Sequence, residues 1–132
     1  SILSRYQAQI YALLRMMAGA MFAFHGLQKT FGFFADHPAE FGTQMWVGGV
    51  IELVAGALIA LGFQTRWAAF LASGQMAVAY FQFHWRFQMD AQFFPTLNHG
   101  ELAALYCFVF LFFAAAGDGV WSLGSLGGKK KG

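Results

Sequence analysis

One acidic residue, Glu52, lies seven residues inside the segment 45–63, MWVGGVIELVAGALIALGF, which carries no other charge. At about 1.5 Å of helical rise per residue this stretch reaches roughly 28 Å, close to the hydrocarbon thickness of a bilayer. In that solvent every backbone N–H and C=O must be satisfied within the segment, which leaves the helix as the spanning element. A carboxyl group at such depth is costly to keep. It is expected to face a neighbouring helix or a cavity and to serve a function there.

The rest of the chain suits the same solvent. Of its 132 residues 58% are hydrophobic and only 11% charged, against roughly 25% charged in an ordinary soluble domain. Three more apolar stretches occupy 11–30, 67–87 and 102–116, the last extended back to Asn98 because its 15 residues cover only roughly 22 Å. The expectation is an all-α, integral membrane four-helix bundle in one domain, 1–132. Its spans fall at 11–30, 45–63, 67–87 and 98–116, followed by a Gly, Ser and Lys-rich tail, 117–132, of the kind that is normally flexible. The first apolar run is too long for a signal peptide and Met21-Phe22-Ala23-Phe24-His25 offers no small-residue cleavage site, so the segment is expected to be retained. Cys107 is the sole cysteine, which excludes an intramolecular disulfide and leaves a small buried hydrophobe.

Four spans place both termini and the turn 64–66 on one side. Arg5, Arg15, Arg66, Lys129, Lys130 and Lys131 then face that side, against Lys29 and Arg86 on the other. The positive-inside rule puts both termini in the cytoplasm and the chain, as a multi-pass protein, in the plasma (inner) membrane. A net charge of +2 with basic residues flanking the spans argues against nucleic acid as a partner. All four histidines, His25, His37, His84 and His99, fall in the outer half, as do Asp36, Glu40, Asp90 and Glu101, whereas Asp118 is cytoplasmic. The aromatic outer loops FGFFADHPAEFG and FQMDAQFFPTLNHG fit the membrane surface or a partner subunit equally well.

Small residues recur at helical spacing: Gly19 and Ala23, then Gly49, Gly56 and Ala60, then Ala69, Ser73 and Ala77. Such faces let helix backbones approach closely. Gly49, Glu52 and Gly56 share a face, so Glu52 is expected to point at a neighbouring helix. His25 and Lys29, four apart, share a face near the outer end of the first span. By helical rise Glu52 lies about 10 Å, and His25 about 7 Å, below the outer ends of their helices, so either His25 or Lys29 can partner Glu52. Lys29 can equally extend outward to the interface. His84 lies near the outer end of the third helix, with Gln75 and Gln82 on a separate stripe. A histidine beside a carboxylate within a bundle can hold a quinone carbonyl or relay a proton. No metal-ligand spacing is present, and His25 with His84 makes a poor haem pair. Asn98-His99-Gly100-Glu101 reads as a helix start, with Asn98 as cap and Glu101 in the capping-box position.

These residues form a familiar set. His25-Gly26-Leu27-Gln28-Lys29 with Phe31-Gly32, then Gly49-x-x-Glu52, Gly56 and Leu61-Gly62-Phe63-Gln64-Thr65-Arg66, resemble the DoxX family. Gly100-Glu101 and Gly117-Asp118-Gly119 with Ser122-Leu123 extend the resemblance over nearly the whole chain. It implies a four-helix membrane protein similar to the small subunits of thiosulfate:quinone oxidoreductase. Gly26, Lys29, Glu52, Gly56, Arg66 and Glu101 carry over by position, none of them as a cofactor ligand.

Two functions follow as expectations. In the first the chain is a subunit of a larger membrane redox assembly, incomplete as an enzyme alone, with Glu52, His25 and His84 contacting quinone or protons near the outer leaflet. Lys29, Glu101 and Arg66 are then polar residues of structure or partner contact. In the second it is a non-catalytic accessory subunit at the periphery of a respiratory or photosynthetic complex, in which Glu52 is a hydrogen-bonding group, neutral or paired with Lys29. Both readings surround the chain with lipid and other integral membrane subunits. A transporter has less support, because no span is broken and no internal repeat is present.

Overall fold

Left-handed backbone at glycine sets where the first two long helices stop. In the computed structural model, which describes residues 1–33, 37–85 and 100–126 and omits the side chains of 83–85, a 3-10 turn Leu3–Tyr6 leads into α1, Gln7–Phe31. That helix ends at Gly32, and α2, Gln44–Leu61, ends at Gly62. Gly62 has φ 69°, a conformation open to glycine without strain, and its N–H returns to the Ile59 and Leu58 carbonyls. Thr43 starts α2 by accepting the Trp46 N–H on its hydroxyl, 3.2 Å away. After a three-residue turn comes α3, Thr65–Ala79, which widens into a π-helical turn, Tyr80–Trp85. The last long helix is α4, Glu101–Ala116, followed by a single turn, α5, Leu123–Leu126.

The described residues are thus helical without a strand, as the sequence implies. The helix boundaries shift by a few residues: the second helix ends at Leu61 and not at 63, the third begins at Thr65 and not at 67, and the first begins at Gln7. Leu3–Phe31 and Gln44–Leu61 are long and apolar enough to cross a membrane. The regular parts of α3 and α4, 15 and 16 residues, are shorter. Asn98, the expected cap of the last helix, lies outside the described residues. Glu101 is the first residue of α4 and exposed, with Gly100 before it, so it does not occupy the third helical position that a capping box requires.

α1 lies along α2, α3 lies along α4, and α2 against α3 joins the two pairs. The first contact is backbone against backbone. A Cβ added at Gly26 would press on the Leu53 N–H and come within 2.6 Å of the Gly49 carbonyl oxygen, and one at Gly56 would come within 2.7 Å of the Gly19 oxygen. Only glycine permits this approach at both positions; Gly56 and Gly19 belong to the small-residue faces expected from spacing, and Gly26 extends the contact beyond them. Between α3 and α4 a hydroxyl does the joining: Ser73 Oγ donates to the Cys107 carbonyl at 2.7 Å. Phe22 of α1 packs against Phe110 and Tyr106 of α4, ring centroids 4.8 and 5.6 Å apart, and Ile59, Phe110 and Phe113 are fully enclosed. The outside is equally apolar. Leu13, Met17, Val54, Phe70, Leu105, Phe108 and Phe112 are all exposed, a surface suited to lipid or to another subunit.

Candidate functional site

The glycine contact between α1 and α2 determines the register in which their polar residues meet. Gly26 against Gly49 and Leu53 brings Lys29, one turn further along α1, beside Glu52. Lys29 Nζ lies 2.5 Å from Glu52 Oε2. Glu52 is 2% exposed, whereas the Lys29 side chain keeps a third of its surface. Of the two partners left open by the sequence, lysine makes the contact.

Gln75 of α3 joins the pair. Its amide Nε2 donates to the same Glu52 oxygen at 3.1 Å and to the Gly48 carbonyl at 3.0 Å. One carboxylate oxygen therefore collects two donors. Glu52 Oε1, Gln75 Oε1 and the Tyr106 hydroxyl are buried with no hydrogen-bond partner among the described residues. Unpaired buried polar atoms are rare and each asks for a cause.

These three residues line one cavity of about 1100 Å³. Every long helix contributes to it: His25 and Lys29 from α1, Glu52 and Ile51 from α2, Gln75 and Phe70 from α3, Tyr106 and Leu102 from α4. Apart from the polar cluster its walls are aliphatic and aromatic, the usual makeup of a site for an organic ligand. Its rim residues Met45, Val47, Trp67 and Phe70 are exposed, so the cavity opens sideways through the apolar surface. Gln44, on the cavity lining, and Gln82 of the π-helical turn exchange two amide hydrogen bonds, of 2.9 and 3.3 Å.

Not every expected residue gathers here. His25 lines the cavity, whereas the side chain of His84, in the π-helical turn, lies outside the described residues. Arg66 belongs to the other end of the molecule, where its guanidinium donates to the Ala114 and Ala115 carbonyls and closes the C-terminus of α4. Gln75, set apart on the sequence as a separate stripe with Gln82, proves central. It carries the same signal as Glu52, a polar group within an apolar run. Tyr106 gives no signal, because a tyrosine among phenylalanines reads as packing.

The opposite end holds a second polar cluster. Arg15, fully buried, donates Nε to the Ile59 carbonyl at 3.0 Å, Nη1 to those of Asp118 and Val120 at 2.6 and 3.1 Å, and Nη2 to Trp121 at 2.8 Å. Tyr11 Oη donates to the Gly117 carbonyl at 2.6 Å, and Asp118 Oδ1 accepts the Thr65 N–H at 3.0 Å, capping α3. The segment after α4, expected to be a flexible tail from Gly117 onward, is tied to the bundle as far as Gly124, whose N–H donates to the Gly62 carbonyl at 3.0 Å. The three lysines fall outside the described residues.

The DoxX family model matches residues 10–85, more than half of the chain and enough to include Lys29, Glu52 and Gln75. A Haemophilus influenzae protein described as "Uncharacterized protein" is 39% identical over 125 residues, which cover 92% of each chain. No solved structure matches. The family match extends across three of the four long helices, including the Lys29–Glu52 pair, and this chain belongs to the DoxX family of membrane proteins.

Proposed function

We propose that the chain is a multi-pass subunit of a plasma-membrane redox assembly and that its cavity receives the head group of a quinone-class molecule. The observation that carries this reading is the set of three buried polar atoms, Glu52 Oε1, Gln75 Oε1 and Tyr106 Oη, that have no partner among the described residues and belong to the lining of an apolar cavity. A quinone-class molecule matches that combination, with an apolar ring and tail and two oxygens that accept hydrogen bonds in its oxidised form and can donate them in its reduced form. The family's likeness to quinone-linked subunits points the same way. All four long helices would cross the membrane with both termini cytoplasmic, α3 completing its crossing through the π-helical turn. The lateral opening would then face lipid, where quinones dissolve.

Bound there, a quinone would supply two-electron, two-proton redox chemistry. The chain's own residues hold and orient the head. Tyr106 can donate to an oxygen of the head, Glu52 and Gln75 can accept from one, and Lys29 keeps the Glu52 carboxylate in place. His25, on the same wall, is positioned to exchange a proton with the cavity. Electrons would have to come from a partner subunit, and the exposed stripe Leu105, Phe108 and Phe112 along α4 offers a face for one.

Purification in mild detergent, followed by extraction and quantitation of bound quinone and identification of co-purifying subunits, tests the proposal. Wild-type protein is expected to retain quinone, and Glu52→Gln to lose most of it while remaining folded. Protein that neither carries quinone nor binds added decylubiquinone, in a complex without redox subunits, would leave the accessory role as the better reading.

A further inference from the structure

The hydrogen-bond wiring of the polar cluster says more than that a head group fits; it discriminates between two forms of one. Gln75 Nε2 has two hydrogens and both are committed, one to the Gly48 carbonyl and one to Glu52 Oε2. Turning the amide over would forfeit both bonds and set its oxygen against two other oxygens, so Oε1 is the atom left over. Glu52 is wired likewise. Lys29 and Gln75 both address Oε2, and Oε1 has no partner among the described residues. Two of the three unpaired atoms are therefore pure acceptors, because a carboxylate or amide oxygen offers lone pairs and no proton. The third, the Tyr106 hydroxyl, can act either way.

A ligand that satisfies this set must bring hydrogen-bond donors. The carbonyl oxygens of an oxidised quinone bring none and would face the two acceptors with their own lone pairs. The hydroxyls of the reduced, dihydroxy form bring two. We infer that the cavity is built to hold the reduced form, a hydroquinone with an apolar tail, in preference to the oxidised quinone. This rests on the reading that the cavity takes a quinone-class head and adds its redox state. Leaving a buried acceptor unpaired is penalised far more than a satisfied hydrogen bond is rewarded, so recognition of this type separates close analogues strongly.

Anaerobic equilibrium titration of the purified full-length protein with decylubiquinol and with decylubiquinone tests the inference. Decylubiquinol is expected to bind roughly tenfold or more tightly than its oxidised form. Gln75→Met removes one acceptor and should shrink that ratio mainly by weakening quinol binding, whereas Tyr106→Phe should weaken both forms. Equal binding, or tighter binding of the quinone, overturns the preference but leaves the cavity as a quinone site. Binding of neither form by the folded wild-type protein overturns both. The wild-type ratio decides the matter even where a variant fails to fold.

Discussion

Arg15→Met tests whether the buried guanidinium strap holds the chain's C-terminal segment. The substitution keeps most of the apolar stem and removes every donor. The Ile59 carbonyl also accepts the Gly62 N–H, so three acceptors lose their donor from the guanidinium: the carbonyls of Asp118, Val120 and Trp121. At about 1–3 kcal/mol for a fully buried acceptor left stranded, the upper limit is roughly 3–9 kcal/mol, and these three bonds are only part-buried. The segment can undock and reach water, which caps the loss, so about 3–5 kcal/mol is the expected destabilisation. Undocking would also pull Asp118 away from the first N–H of α3. Lysine should not rescue the variant, because one ammonium cannot reproduce a planar fork that reaches four carbonyls. Thermal unfolding in detergent micelles should drop by on the order of 10 °C, and hydrogen exchange at residues 117–126 should rise before that of α1 or α2. An Arg15→Met protein with wild-type melting and wild-type exchange in this segment would refute the reasoning.

Further expectations concern the Lys29 end and the helix contacts. Lys29→Met should destabilise by about 2–4 kcal/mol, less than for a fully enclosed pair because the lysine is partly exposed, and adding Glu52→Met should recover much of that loss; a double-mutant cycle of melting temperatures reads the coupling. Gly26→Val should prevent α1 and α2 from closing, since its Cβ meets backbone atoms that no side-chain rotation can move aside, and size-exclusion profiles of tagged protein would show the loss of folded material. Gly74→Leu behaves oppositely. Nothing lies within 4 Å of an added Cβ at this cavity-lining position, so the variant should melt no lower than wild type, with a helix-propensity gain of about 0.5–1 kcal/mol, while decylubiquinol binding falls.

Much of the site is legible in the amino-acid sequence, and the gaps have particular causes. Glu52 stands out because one acid in an apolar run needs no neighbour to be conspicuous, and its shared face with Gly49 and Gly56 turns it toward another helix, where the structure has it. The choice between His25 and Lys29 is open at the level of sequence because both lie on that side of α1, one turn apart. Gln75 reads as part of its own stripe because periodicity relates it to Gln82 on the same helix and says nothing of its distance from Glu52. Glu101 illustrates the reverse error: a sequence pattern of the capping-box kind is met, yet α4 begins at Glu101 itself.

The apolar solvent, the all-helical class, the lone buried acid and the glycine faces all follow from composition and local periodicity, quantities complete within one stretch of chain. Pairings between helices do not. Lys29 and Gln75 each lie 23 residues from Glu52, and Arg15 reaches carbonyls 44 to 106 residues away. Such meetings depend on the rotation and register of whole helices, settled where Gly26 and Gly56 let two backbones touch and where Phe22 packs on Phe110. A shift of one residue along α1 would turn Lys29 by about 100° away from Glu52. The local pattern supplied a carboxylate in need of company, and only the packed bundle decided which side chains would surround it and which of its oxygens would remain unpaired.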